Sequence, residues 1–253
     1  MVRVIMSGCG GKMGKVITEL VAGEKEMEIA AGIDVADCAS APYPVFKSLK
    51  ECSVDADVVI DFSNAKGTDA LLDSCVEKKL PCVLCTTGLS AEQTAHVERA
   101  SEKTAILRSG NMSVGINLLL KLLRQAAPVL AEAGFDMEIV EKHHNQKVDA
   151  PSGTALMLAD AVNEAAGGGY EYVYDRSGRR EKRPEKEIGI SAVRGGTIVG
   201  DHDVIFAGTD EVITISHRAY SRNVFAKGAV EAAKFLAGKE AGLYDMSSVI
   251  DAG

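Results

Sequence analysis

The run Val2–Ala22, VRVIMSGCGGKMGKVITELVA, constrains the fold more than any other part of the chain. Val2–Ser7 reads as a strand. Gly8, Gly10, Gly11 and Gly14 follow at once, and from Met13 to Ala22 the apolar residues Met13, Val16, Ile17, Leu20 and Val21 recur at helical spacing. Strand, glycine turn and helix in succession make a βα unit. Glycines here permit a tight turn and the close approach of a pyrophosphate, and the helix N-terminus adds free N–H groups and a positive dipole end. The pattern is G-x-G-x-x-x-G, one residue longer than the common G-x-G-x-x-G. Glycine clusters also make ordinary βα turns, so the context decides. A second strand is expected at Glu28–Ile33, and Asp34 ends it, where an acid can bind adenosine ribose hydroxyls. Gly8, Cys9, Gly10, Gly11, Lys12, Met13, Gly14 and Asp34 are therefore the candidate dinucleotide-binding residues.

The alternation continues. Strands are expected at Val58–Phe62, Pro81–Cys85 and Ala105–Leu107, with helices at Thr68–Lys79 and Ala91–Lys103. Strands that alternate with helices imply parallel βαβ units. The rhythm then breaks. A long amphipathic helix is expected at Val114–Ala133, a strand at Asp136–His144 and a helix at Gly153–Ala166. From Ile188 to His217 strands follow one another, with turns at Gly195-Gly196 and Gly208-Thr209-Asp210, which suits an antiparallel or mixed sheet. A final helix, Val224–Ala237, is expected to return to the first domain. The expected fold class is α/β: a Rossmann-like doubly wound parallel sheet domain, residues 1–113 and 223–253, plus a smaller α+β domain with a mixed sheet, residues 114–222.

Charge narrows the function. A net charge of −8 over 253 residues gives no bulk attraction to nucleic acid or an anionic membrane, so an anionic ligand needs a local basic site. No uninterrupted apolar run reaches the roughly 18 residues of a membrane span, and the N-terminus opens into a strand rather than a signal peptide. The expectation is a cytoplasmic protein with six reduced cysteines, without nucleic-acid or membrane partners. Cys82 and Cys85 form a C-x-x-C within a strand-like run; without a second cysteine pair or a nearby histidine they read as core thiols, and no metal is expected. The segment Asp175–Glu187, DRSGRREKRPEKE, reads as a solvated loop.

The local basic site lies in EKHHNQKVDAPSGTALMLADAV, Glu141–Val162. Strand alternation puts Met137, Ile139, Glu141 and His143 on one face and Glu138, Val140, Lys142 and His144 on the other. Lys147 follows. Pro151 and Ser152 suit a helix start, so N–H groups near Ser152, Gly153 and Thr154 form an anion cradle. Lys147 adds a full charge, and a histidine adds a proton exchangeable near neutral pH. The stretch suits a carboxylate ligand that needs a proton; the competing reading is a capped helix behind a polar loop.

Two more loops fall at expected strand ends: Thr86, Thr87 and Gly88, then Ser109, Gly110, Asn111 and Met112. Ligands of doubly wound sheets sit beyond the carboxyl ends of the strands, so these loops are candidates for the nicotinamide side. Asp34 is followed by Val35, and no Lys or Arg occurs until Lys47, which favours NADH over NADPH while leaving use of both open.

The motifs Gly8–Gly14, DFS at Asp61–Ser63, TTG at Thr86–Gly88, NMSVGIN at Asn111–Asn117 and E-x-H-H-x-x-K-x-D-A-P-S-G-T-A at Glu141–Ala155 make the chain resemble the dihydrodipicolinate (4-hydroxy-tetrahydrodipicolinate) reductase family. GKEAGLYDM, Gly238–Met246, is similar to that family's ending, so the resemblance spans nearly the whole chain. It implies a homotetrameric NAD(P)H-dependent oxidoreductase of the diaminopimelate route to lysine. It makes 1–113 with 223–253 the dinucleotide-binding domain and 114–222 the substrate-binding and oligomerisation domain. His143 matches the family's general acid and Lys147 a lysine at the same site. His144, Ser152, Gly153 and Thr154 fall at the substrate. The substrate is a ring dicarboxylate, reduced by hydride and a proton. Val35 departs from an arginine that some members use for a 2′-phosphate, and Met112 from a phenylalanine near the nicotinamide. The alternatives are another nicotinamide dehydrogenase of amino-acid metabolism, or an NADH-sensing regulator.

Overall fold

The alternation of the first unit produces seven parallel strands. In the computed structural model, described for residues 1–252, this unit comprises Met1–Val114 and the chain from Asn223 onward. Its elements are β1 (Val2–Ser7), α1 (Lys12–Ala22), β2 (Met27–Ile33), β3 (Val45–Phe46), β4 (Val58–Asp61), α2 (Thr68–Lys78), β5 (Cys82–Leu84), α3 (Ala91–Ser101) and β6 (Ala105–Leu107). The sheet order is β12-β6-β5-β4-β1-β2-β3, where β12 (Gly242–Tyr244) comes from the far end of the chain. Two short strands, β3 and β12, were not expected: two or three residues carry no periodicity of their own, and pairing with β2 and β6 forms them.

Both faces of this sheet are covered, as a parallel sheet requires. Val4 and Met6 point to one side, where they pack with Ile17, Ala226, Ala229 and Leu236. Ile5 points to the other, with Val59, Leu72, Cys75, Cys82 and Ile106. Cys82 is thus a core thiol, and hydrogen bonding to Cys75 together with burial pushes it well above its ordinary pKa. The strand order turns back beside β1, which lies between β2 and β4. A crevice at the carboxyl ends of such neighbours is where doubly wound sheets bind ligands.

The second unit, Gly115–Arg222, holds a five-stranded mixed sheet, order β11-β10-β7-β9-β8. The strands are β7 (Asp136–His143), β8 (Glu171–Val173), β9 (Glu187–Arg194), β10 (Gly200–Ala207) and β11 (Val212–Ala219). β10 runs antiparallel to β7 and β11, whereas β7, β8 and β9 run parallel. One sheet face is covered by α4 (Val114–Glu132) and α5 (Gly153–Ala165), through Ile116, Leu120, Leu123, Leu158, Met137, Ile139 and Phe206. α4 is long and apolar enough to cross a membrane by length and composition, mean hydropathy 1.3, although Lys121 and Arg124 interrupt its apolar run. Its residues Ile116, Leu119, Leu120 and Leu123 are spent on the core, the usual position of a helix that satisfies such a test in a globular unit. The last long helix, α6 (Asn223–Leu236), packs in the first unit against α1.

The segment Asp175–Glu187 is mostly exposed, as expected of a solvated loop, but three of its arginines are committed to ion pairs, while Arg180 is exposed. Arg176 grips Glu138 through two bonds of 3.0 and 2.7 Å and also reaches Glu187, while Arg179 meets Glu187 at 2.7 Å and Arg183 meets Asp136 at 2.6 Å. Gly189, opposite Glu138 on β9, makes room for this: a Cβ there would collide with the Glu138 carboxylate and lie 2.7 Å from Arg176. Burial raises the Glu187 pKa, but its two arginines outweigh this and hold it below the ordinary value. The charges balance one another across the sheet, a relation that composition does not show.

Candidate functional site

In the first unit the glycines meet specific steric demands. Gly8 has φ +79, and a Cβ would lie 2.6 Å from the Phe62 carbonyl oxygen. At Gly14 a Cβ would strike the Gly8 carbonyl and approach the Cys9 Cα at 2.7 Å, so only glycine lets α1 sit this close to the loop. Gly11 is the N-cap of α1, and no side chain caps the helix, which leaves Lys12 and Met13 at an N-terminus open to an anion. Asp34 reaches back to the loop: its Oδ2 accepts the Gly10 N–H at 2.9 Å, and its Oδ1 accepts from Ala36. The glycine loop and the acid thus form one constellation. Lys47, distant in sequence, folds over the same turn, with its Nζ 3.2 Å from the Val35 carbonyl and 2.8 Å from Asp37. The sequence placed this cation thirteen residues past Asp34 and so beyond its reach, but β3 brings it close by pairing with β2.

The other loops differ in what they offer. The Thr86 hydroxyl donates to the buried Asp61 carboxylate at 2.6 Å, so it is spent on holding the end of β4 against the end of β5. Gly88 has φ +74 with open space where a Cβ would stand, and Thr87 beside it is exposed. Met112 is 5% exposed and packs in the core, and its carbonyl lies against Gly228 of α6. Ser109 and Gly110 lead out of β6, and Asn111 turns the chain by accepting the Ser113 N–H at 2.8 Å.

In the second unit β7 changes chemistry along one face. Met137 and Ile139 enter the core; Glu141, fully buried, and His143 continue on the same face. Glu141 is a hub. It accepts from Arg194 through both oxygens at 2.7 and 2.8 Å, from the Ser152 N–H at 3.0 Å and from His143 Nδ1 at 2.6 Å. Burial raises its pKa, but the bonds from Arg194 and His143 win and hold it below the ordinary value. An anionic Glu141 holds the proton of His143 on Nδ1 and leaves Nε2 outside this bond. That nitrogen faces β10, where a Cβ on Gly200 would stand only 3.0 Å from it.

His202 completes the group. Its ring meets His143 edge-on with centroids 5.2 Å apart, and its Nε2 lies 3.1 Å from Ser152 Oγ, which also caps α5 by accepting from Ala155. Burial first, then the charge of His143, pushes its pKa down to about 4, so it stays neutral. Lys147 lies after β7 and pairs with Asp149 at 2.8 Å. The Asp149 carboxylate is held low, first by Lys147. The chain's own carboxylate therefore rests on Lys147 just before the start of α5, whose first turn holds Thr154. His144 lies just past the strand end, half-buried.

Glu141 belonged to the recognised motif, but its role as hub was missed, as were Arg194 and His202. Nothing near them in sequence signals the site; β9 and β10 bring them there by pairing with β7.

Comparison with known proteins agrees with both halves. The family described as "Dihydrodipicolinate reductase, N-terminus" matches residues 2–112, and "Dihydrodipicolinate reductase, C-terminus" matches 115–250. The 4-hydroxy-tetrahydrodipicolinate reductase of Caldanaerobacter subterraneus subsp. tengcongensis is 54% identical over 253 residues, 100% of both chains. That of Clostridium tetani is 49% identical over 251 residues, 99% of this chain and 98% of its own. Among solved structures, dipicolinate-bound dihydrodipicolinate reductase from Paenisporosarcina sp. TG-14 superposes with a TM-score of 0.80 at 26% identity, covering 97% of each chain. A Rossmann-type domain in a reductase family implies NAD(P)H as the reductant. With both of its units matched in order and relatives aligned from end to end, this chain belongs to the dihydrodipicolinate reductase family, a family of oxidoreductases.

Proposed function

We propose that the chain reduces 4-hydroxy-tetrahydrodipicolinate with NAD(P)H, the hydroxyl leaving as water and the ring receiving a hydride and a proton, to give tetrahydrodipicolinate; its relatives are named 4-hydroxy-tetrahydrodipicolinate reductases. The observation that carries this reading is Lys147, which lies just before α5 and already pairs with a carboxylate, that of Asp149, at 2.8 Å. Asp149 there stands in for one carboxylate of a ring dicarboxylate, and the dipicolinate bound to the Paenisporosarcina enzyme is a ligand of that class. Substrate binding exchanges one carboxylate for another at Lys147, so it displaces Asp149 without leaving a bare charge.

The first unit is the dinucleotide-binding domain in this reading. Gly8–Gly14 cradle the pyrophosphate at the uncapped N-terminus of α1, which the absence of side chains at Gly8 and Gly14 lets pack close to the loop, and Asp34 receives the ribose hydroxyls. Thr87, Gly88 and the Ser109–Met112 loop line the nicotinamide side, where Thr86 and Met112 contribute backbone. When bound, NAD(P)H supplies the hydride. NADH is the favoured form, because a 2′-phosphate would meet Asp34; Lys47 beside Val35 lets NADPH compete.

The second unit handles charge and the proton. Lys147 and the N–H groups at Gly153 and Thr154 hold a substrate carboxylate, and His144 contacts the ring. His143 is the general acid. Glu141 holds its Nδ1–H and stabilises the imidazolium, so Nε2–H is the proton delivered as negative charge develops on the substrate. Arg194 keeps Glu141 ionised. His143→Gln is expected to lower kcat by about 10²–10⁴-fold, the typical contribution of general acid catalysis, with NADH affinity unchanged. Unchanged turnover in coupled assays of the synthase product removes His143 from this role.

A homotetramer working in the cytoplasm fits the same reading. β11 is an edge strand with Val212 and Ile213 exposed, and the six cysteines are free thiols. Light scattering on the purified chain measures the assembly directly.

A further inference from the structure

Three ligand-type side chains converge beside the glycine loop: Cys9 inside it, Asp34 at the end of β2, and Cys38 in the turn that follows. Their ligand atoms lie within 4.8 Å of one another, and the two sulfurs are 4.0 Å apart. We propose that Cys9, Asp34 and Cys38 form a site for a divalent cation of the zinc class, and that this cation and the dinucleotide exclude each other.

The sulfur separation, a thiol–thiol hydrogen-bond contact, excludes a crosslink and is close to the spacing that a shared metal needs. A disulfide needs about 2.05 Å between sulfurs. Two thiolates on one tetrahedral zinc, each at about 2.3 Å, stand about 3.8 Å apart. The observed 4.0 Å is close to the second distance and almost twice the first. Two thiolates with one carboxylate are donors that zinc accepts and magnesium or calcium does not, and a water completes the fourth position. Each thiol gives its proton to solvent as its sulfur binds, so no oxidant or reductant is needed.

The surroundings are shaped for this approach. A Cβ on Gly10 would lie 2.7 Å from Cys38 Sγ and 3.0 Å from Asp34 Oδ2, and a Cβ on Gly32 would lie 2.6 Å from Cys9 Sγ. The two glycines are what allow the three donors to meet. Asp34 already accepts one backbone N–H on each oxygen, so its remaining lone pairs serve either a ribose or a cation. A cation on Cys9 also ties the loop that must fit the pyrophosphate. The exclusion rests on the reading of Asp34 as the ribose acid; the metal site does not.

The test uses the full chain, stripped with a chelator and kept in a non-thiol reductant. Cobalt(II) is titrated first, as the spectroscopic probe, and zinc then displaces it. The expected result is one cobalt per chain with a thiolate charge-transfer band. Cys38→Ala abolishes the band while leaving its fold by circular dichroism and its metal-free turnover intact. Zinc at ten times its Kd raises the apparent KM for NADH about tenfold in the parent and not in Cys38→Ala. Absence of a thiolate band, or equal zinc binding by Cys38→Ala, overturns the site. A band without any change in the KM for NADH overturns the exclusion. Asp34→Ala separates the two readings: if NADH binds it as tightly as the parent without metal, the ribose assignment fails, while the cobalt band of the parent still reports on the metal site.

Discussion

The glycine loop of the first unit and the histidine group of the second both end at a helix N-terminus, yet they are built in opposite ways. The loop is made by leaving things out. Gly8 and Gly14 remove side chains that would strike backbone, and α1 carries no side-chain cap. The histidine group is made by putting charge in. Glu141 is fully buried and takes its bonds from Arg194 on β9, His143 on β7 and Ser152 at the cap of α5, with His202 of β10 against them. The first construction is vulnerable to added volume and the second to removed charge.

The largest effect should therefore come from breaking the buried charge. Arg194→Met leaves Glu141 with one fewer cation in a water-excluded site, and removing one partner of such a pair costs about 3–5 kcal/mol. Denaturant unfolding should show that loss, together with reduced turnover. Replacing both, Glu141→Met with Arg194→Met, should recover part of the stability but none of the turnover, because His143 loses its anchor. Equal stability of Arg194→Met and the parent would mean that Glu141 is not buried as an anion.

The next effect is a pH dependence. His202 is depressed from 6.5 to about 4, so it is neutral in the fold while the unfolded chain takes up a proton. Stability from this group is complete above pH 6.5 and declines as pH falls to about 4, by roughly 3 kcal/mol. The difference in unfolding free energy between the parent and His202→Asn, measured across that window, isolates it. A difference that stays constant with pH would place His202 in contact with water.

The same contrast explains what the sequence made legible. The βα alternation, the glycine loop and Asp34 are local, and the parallel sheet with Asp34 bonded to Gly10 follows from them. On β7 the period-2 pattern placed Met137, Ile139, Glu141 and His143 on one buried face. What the sequence hid depends on pairing between distant strands. Arg194 looks like any strand-end arginine until β9 lies beside β7, and His202 like any strand histidine until β10 does. Arg176, Arg179 and Arg183 read as a solvated run because Glu138 and Glu187, which neutralise them, lie on β7 and at the start of β9. Lys47 read as too far from Asp34 for the same reason.

Volume in the loop comes third. Gly14→Ala pushes a methyl into the Gly8 carbonyl and the Cys9 backbone. Overpacking of this kind costs about 1–3 kcal/mol. The loss should fall on NADH binding, read by fluorescence titration, more than on the second unit, because the residues that shift are those of the loop itself. An NADH affinity equal to the parent's would show that α1 can move away at little cost.

The smallest effect tests the one charge on which the loop depends. Asp34→Ser keeps a group able to accept the Gly10 N–H but removes the carboxylate that, in the proposed reading, repels a 2′-phosphate. Two like charges about 4 Å apart in water repel by about 1 kcal/mol, so the ratio of kcat/KM for NADPH to that for NADH should rise about fivefold. Lys47 decides how the gain arises. It sits over the same turn, paired with Asp37. If it captures the 2′-phosphate once Asp34 is gone, adding Lys47→Ala to Asp34→Ser should return most of the ratio. A rise that survives Lys47→Ala would mean that repulsion alone set the preference. A ratio that never moves would take Asp34 away from the ribose, and the first unit would then discriminate its ligand by shape alone.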